Sequence, residues 1–125
     1  MLNIRRRSAL VDYSLCNQTV TVYHWDGAAT YTRKVIREGA FLDFRKTANV
    51  DKTGQREANS FLLVIPGDTV LVAAGDKVLL GEGPEVADRD AWAALVPAKV
   101  QGLVVIKYVD PKYYRGVLVH TEAGG

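Results

Sequence analysis

Residues 58–83, ANSFLLVIPGDTVLVAAGDKVLLGEG, constrain the fold of this chain more than any other stretch. Apolar runs rich in Val, Leu and Ile at 61–65, 69–73 and 77–80 are cut by Pro66-Gly67-Asp68 and again by Gly75-Asp76. Runs this short, bounded by Gly, Pro and Asp, cannot make helices and read as three β-strands joined by tight turns.

The flanks point the same way. Gln18–Trp25 (QTVTVYHW) is rich in β-branched and aromatic residues and reads as a strand. Asp26-Gly27 signals a hairpin, and 30–37 (TYTRKVIR) is the return strand. A short break at Glu38-Gly39 precedes a further strand at 40–45. Asp88 or Asp90 can cap one helix over 89–96, with Trp92, Leu95 and Val96 turned inward and Pro97 ending it. Residues 98–110 form a strand kinked at Gly102, Asp110-Pro111 turns the chain, and 115–121 is the last strand before a Gly-ending tail. The expected fold is mainly β: a small β-barrel or sandwich with one short helix, an N-terminal arm at 1–17 and a single domain at 18–125.

One segment stands apart. Residues 46–57 (KTANVDKTGQRE) are polar around a lone Val50 and cannot be buried with their backbone satisfied. A long hairpin arm or mobile loop is expected, and segments of that length in a small domain are commonly functional or disordered.

Bulk properties narrow the function. At 125 residues the chain suffices for one ordinary core. Its single cysteine, Cys16, excludes an intramolecular disulfide and a multi-cysteine zinc set, and reads as a small buried filler. Arg5-Arg6-Arg7 is followed by too few apolar residues for a signal peptide, and no run approaches the roughly 20 that span a bilayer. A soluble protein, not secreted by this route and without membrane contact, is expected. Net charge is +2 but uneven: residues 1–60 carry ten Lys/Arg against six Asp/Glu, and 61–125 six against eight. Such a weakly dipolar chain suits head-to-tail docking of copies or contact with neighbours of opposite sign, and equally a scatter of solvated charges.

No catalytic pattern emerges. His24 and His120 lie far apart, without HxH or HExxH spacing, so no metal site is expected. No nucleophile elbow surrounds Ser60, so a triad with His24 and Asp26 has no support. Gly81-Glu82-Gly83-Pro84 lacks the Walker lysine, and Glu82, Glu85, Asp88 and Asp90 lack the EF-hand spacing. Neither catalytic residue nor cofactor is expected. Tyr31, Arg33, Lys34 and Arg37, followed by Phe41, Phe44 and Arg45, loosely suit single-strand nucleic-acid binding. Non-specific phosphate contact through Arg5, Arg6 and Arg7 or through the 46–57 arm asks less of the sequence.

Taken together, TVTVYHW, YTRKVIREGAFLDF, the Lys52-Thr53-Gly54 arm before ANSFLLVIPG, GDKVLLGEGP, the helical Trp and YVDPKYYRGVLVHTEAGG make a familiar order. From about residue 20 to 125 the chain resembles small head–tail connector proteins of tailed phages and of prophages in Gram-positive bacteria. These are head-closure (stopper) and head–tail adaptor proteins, and tail terminators are of similar size. The N-terminal arginines have no counterpart in the resemblance. The resemblance implies a non-enzymatic subunit of a homo-oligomeric ring in the virion neck, assembled in the host cytoplasm between portal or adaptor and the tail-terminator or tail-tube proteins. It implies that Lys46, Asp51, Lys52, Gln55 and Arg56 contact channel DNA or an adjoining ring, and that the end of the chain, with His120 and Glu122, pairs with a neighbour. The alternative of another class is a stand-alone β-barrel binding nucleic acid or a small ligand.

Overall fold

The computed structural model describes residues 13–51 and 54–125, and side chains at 13–44 and 60–125. A short 3-10 turn (Tyr13–Leu15) leads into seven strands: β1 (Gln18–Trp25), β2 (Tyr31–Asp51), β3 (Gly54–Pro66), β4 (Lys77–Leu80), β5 (Leu103–Val105), β6 (Tyr108–Tyr114) and β7 (Val117–Gly124). One helix, α1 (Arg89–Ala94), lies between β4 and β5. All strand pairs are antiparallel, in the order β5-β4-β1-β2-β3-β7-β6.

The mainly β fold with one short helix stands; closure into a barrel does not. The edge strands β5 and β6 do not pair, but follow one another along the chain through Ile106 and Lys107. Ile106 exchanges backbone hydrogen bonds with the β4 side, donating to Asp76 O at 2.9 Å and accepting from Gly75 N at 2.7 Å. Lys107 N donates instead to Gly124 O of β7, at 2.8 Å. The chain thus changes partners between two adjacent residues, as strands do where they switch sheets.

β2 switches in the same way. Its first half pairs with β1 through Ala40 and its second half with β3 from Phe41 onward. The expected break at Glu38-Gly39 is a bulge inside one continuous strand: the register shifts between Gln18↔Ala40 and Val20↔Ile36, and Glu38 takes φ 51°. A bulge bends its strand and strengthens the twist without ending the ladder.

The bend encloses the main core. Val20 and Val22 of β1, Ala40 and Leu42 of β2, and Phe61, Leu63 and Ile65 of β3 pack with Val78, Ile106 and Ala123. Full burial of one such side chain contributes about 1.5–3 kcal/mol. The opposite face of β1 serves a second cluster, in which Tyr23 meets Val86, Leu95 and Leu103 under α1. That is why residues 20–23 are buried without alternation. Their polar atoms are satisfied locally: Thr21 Oγ1 donates to Gly81 O at 2.7 Å, and Tyr23 Oη to Pro84 O at 2.8 Å.

Further boundaries differ from expectation. Residues 69–73 form no strand; Val72 is buried in the main core while Asp76 Oδ2 accepts the Ala73 N–H at 2.9 Å. α1 ends at Ala94, with Asp88 as its N-cap accepting the Ala91 N–H at 2.8 Å. Asp110-Pro111 lies within β6, because an edge strand tolerates a residue without an N–H. The turn comes at Arg115-Gly116, both at positive φ. The last strand, β7, starts at Val117 and runs on through Gly124 into the expected Gly-ending tail, pairing with β3 on one side and β6 on the other.

Candidate functional site

The β2–β3 hairpin is the feature that the body does not need. β1 accompanies β2 only to Ala40, and β7 reaches β3 only at Leu62. Seven further cross-strand pairs, Arg45↔Ser60 to Asp51↔Gly54, continue with no third strand among the described residues. At about 3.4 Å per residue this ribbon reaches roughly 20 Å past the last three-stranded part of the sheet. Of the two readings for this segment, hairpin arm or mobile loop, the backbone is a hairpin. A free two-stranded ribbon is marginal in water, and both its edges carry unpaired backbone groups.

The arm residues singled out from sequence fall on this ribbon. Lys46 pairs with Asn59, Asn49 with Arg56, Val50 with Gln55 and Asp51 with Gly54. Lys52 lies outside the described residues, as do Arg5, Arg6 and Arg7. The segment 45–57 holds Arg45, Lys46, Lys52 and Arg56 against Asp51 and Glu57, a cationic balance that suits phosphates or acidic surfaces.

His120 and Glu122 are not at a loose end. His120 is buried in β7, its Nε2 3.0 Å from Glu122 Oε2 and its Nδ1 2.8 Å from Tyr13 Oη. With the carboxylate accepting from Nε2–H, Nδ1 is the acceptor for the Tyr13 hydroxyl. Burial, reinforced by Cys16 and Glu122, raises the Tyr13 pKa above its ordinary 10.0. The cluster pins the segment before β1 against β7. The ladder on each side of β7 is occupied, by β3 and by β6, so His120 and Glu122 lie in a strand of the body.

Part of the aromatic and basic face considered for nucleic acid is engaged internally, while Lys34 and Phe44 remain exposed. Arg33 donates to Gly83 O through Nε at 2.9 Å and Nη2 at 2.6 Å, and its Nη1 lies 2.9 Å from Glu85 Oε2. Arg37 Nη1 is 2.7 Å from Glu82 Oε1. Tyr31 stacks on Trp25 at 5.8 Å and tilts against Trp92 at 5.9 Å. The acidic run and the basic strand therefore fasten the 82–85 segment to β2. Gly83 is required there, since a Cβ would collide with Tyr23 Oη and Leu79 Cδ2.

Three features escaped sequence reasoning. Asp76, read as turn punctuation, is buried and holds His24 Nδ1 at 2.5 Å. Lys77 is buried with its Nζ 2.7 Å from Trp92 O and 4.4 Å from the Trp92 ring centre, and desolvation lowers its pKa. The β6–β7 hairpin exposes Tyr108, Tyr113, Tyr114 and Val117, large apolar groups of the kind enriched at protein interfaces. Only this last feature had a sequence signal, the tyrosine-rich run YVDPKYY.

Among the described residues no three His, Cys, Asp or Glu side chains converge on a common point, and no helix is long and apolar enough to cross a membrane. A model for a family of unknown function matches residues 15–125. No curated protein and no solved structure matches the chain.

Proposed function

The chain belongs to that family of unknown function, DUF6751, and we propose that it is a structural subunit of the neck of a tailed phage or prophage. Its role is that of a ring-forming connector of the head-closure type, placed between portal or adaptor and the tail. It carries out no catalysis.

The observation behind this reading is the projecting β2–β3 ribbon. A body that buries its own core and then extends a hairpin with unpaired edges on both sides leaves hydrogen bonds for another chain to complete. In a ring, the arm of one copy meets a neighbouring subunit or the adjoining ring, and copies dock head to tail as closed symmetry requires. The cationic composition of 45–57 adds non-specific contact with packaged DNA, which requires placed charges rather than base readout. The exposed tyrosines of β6 give the body a second contact surface, distinct from the arm.

Electron microscopy of purified particles carrying a labelled copy of this chain tests the proposal. The label is expected as a ring at the head–tail junction. Label next to the portal would assign the adaptor role, and label at the head-proximal end of the tail tube the terminator role. Label in the shell or tail tip, or its absence from particles, would refute a neck subunit.

A further inference from the structure

The main core opens at one end into a groove of about 270 Å³. One wall is the β1–β2 ladder, where the pairs His24↔Thr32 and Val22↔Lys34 bring four groove-lining residues together. The other wall is the 70–73 segment, with Val70, Leu71 and Val72 supplying an apolar surface. In volume the groove is just below the roughly 300–1,000 Å³ that drug-sized ligands occupy. It fits a few heavy atoms.

The polar groups decide the charge of the occupant. Asp76 lines the groove, but its carboxylate is 5% exposed and each oxygen is engaged, Oδ1 with His24 Nδ1 and Oδ2 with the Ala73 N–H. What remains on the polar wall is the exposed Lys34 ammonium, the Thr32 hydroxyl and the half-exposed His24 ring. The Thr32 hydroxyl donates to His24 O at 3.5 Å, too long to hold it firmly. A cation would meet Lys34 and find the lining carboxylate already taken. An anion meets two donors, the Lys34 ammonium and the Thr32 hydroxyl, on one side and methyl groups on the other.

We infer that this groove binds a carboxylate carried on a short branched apolar stem, presented either by a free small acid or by the C-terminal residue of a partner chain. The carboxylate sits against Lys34 and Thr32, beside the imidazole that Asp76 orients, and the stem lies on Val70–Val72. This site is independent of the arm and of the connector reading.

The test is a nuclear magnetic resonance titration of the full chain with isovalerate, its neutral isostere isovaleramide, and the tripeptide acetyl-Ala-Ala-Leu with a free carboxylate. Shifts at His24, Thr32, Lys34 and residues 70–72 that saturate below roughly 10 mM acid are expected, with the amide about tenfold weaker or worse. Lys34→Gln, an exposed change that leaves the spectrum dispersed, is expected to weaken the acid about tenfold. Tighter binding of the tripeptide than of isovalerate assigns the partner-chain source, and the reverse order the free acid. Equal affinity for acid and amide, no effect of Lys34→Gln, or shifts confined to other residues would overturn the inference.

Discussion

The Glu38 N–H donates to Thr19 Oγ1 at 3.1 Å across the bulge that carries β2 from one half of the sheet to the other. Thr19 also accepts the Gly81 N–H through its carbonyl at 2.8 Å, so one residue of β1 secures both the bend and the end of β4. The direction in which the arm leaves the body is set at this point.

Glu38 occupies the left-handed region at φ 51°, which costs a residue with a Cβ roughly 1–2 kcal/mol. Glu38→Gly is expected to lie within about 1 kcal/mol of the wild type, strain relief being offset by a more flexible unfolded chain. Glu38→Val, β-branched at the same position, is expected to fall about 1–2 kcal/mol below Glu38→Gly in urea unfolding. Equal stability of the two variants would mean that the bulge does not require this conformation.

The buried Thr121 hydroxyl has no hydrogen-bond partner among the described residues. Thr121→Val keeps the shape and removes the group that loses its water on folding. A gain of about 1 kcal/mol or more is expected, where a Thr-to-Val change at a satisfied site would cost stability. A loss would show that the hydroxyl is satisfied in solution.

Alkaline pH should destabilise the protein through two phenols that folding desolvates, the half-buried Tyr13 and the buried Tyr23. Tyr13 and Tyr23 both have pKa values raised above 10.0, chiefly by burial. The folded state then holds each proton more tightly than the unfolded chain. The stability gained is fully present below pH 10 and is lost as pH rises through the elevated folded values. Unfolding free energy measured from pH 8 to 11.5 should drop beyond pH 10, and the Tyr13→Phe/Tyr23→Phe double variant should flatten that decline. An unchanged slope in the double variant would assign the alkaline loss to other groups.

The strand content was legible where local signals agreed with the tertiary setting. Gln18–Trp25 was read with its final boundaries because β-branched and aromatic residues fill it and Asp26-Gly27 closes it. Errors arose where neighbouring strands overrode local punctuation. Glu38-Gly39 looks like a break, but β1 continues to pair on both sides of it. Asp110-Pro111 looks like a turn, yet the edge position of β6 makes the missing N–H harmless. Arg115-Gly116 was overlooked as the turn because arginine is an unusual occupant of a positive-φ position. Residues 69–73 are as apolar as a strand but have no ladder; their register in the chain brings Val72 to the core instead.

The arm was legible from composition alone, since a polar segment of that length has nowhere to be buried. The groove was not. His24 finds its carboxylate fifty-two residues away, a pairing that spacing cannot reveal. The end of β7 is not legible, because one of its partners is β3, in pairs such as Leu62↔Gly124 that local sequence does not reveal.

If the projecting ribbon serves assembly, as proposed, its loss separates assembly from folding, and removing its outer part measures that separation directly. With residues 49–55 deleted and the hairpin closed by Asn-Gly, the purified chain should melt within a few degrees of the full-length protein, because no core residue is lost. Phage carrying the deletion should yield heads that fail to join tails or that lose their DNA. Full, tailed, infectious particles at wild-type yield from the same deletion would contradict a role for the arm in the neck.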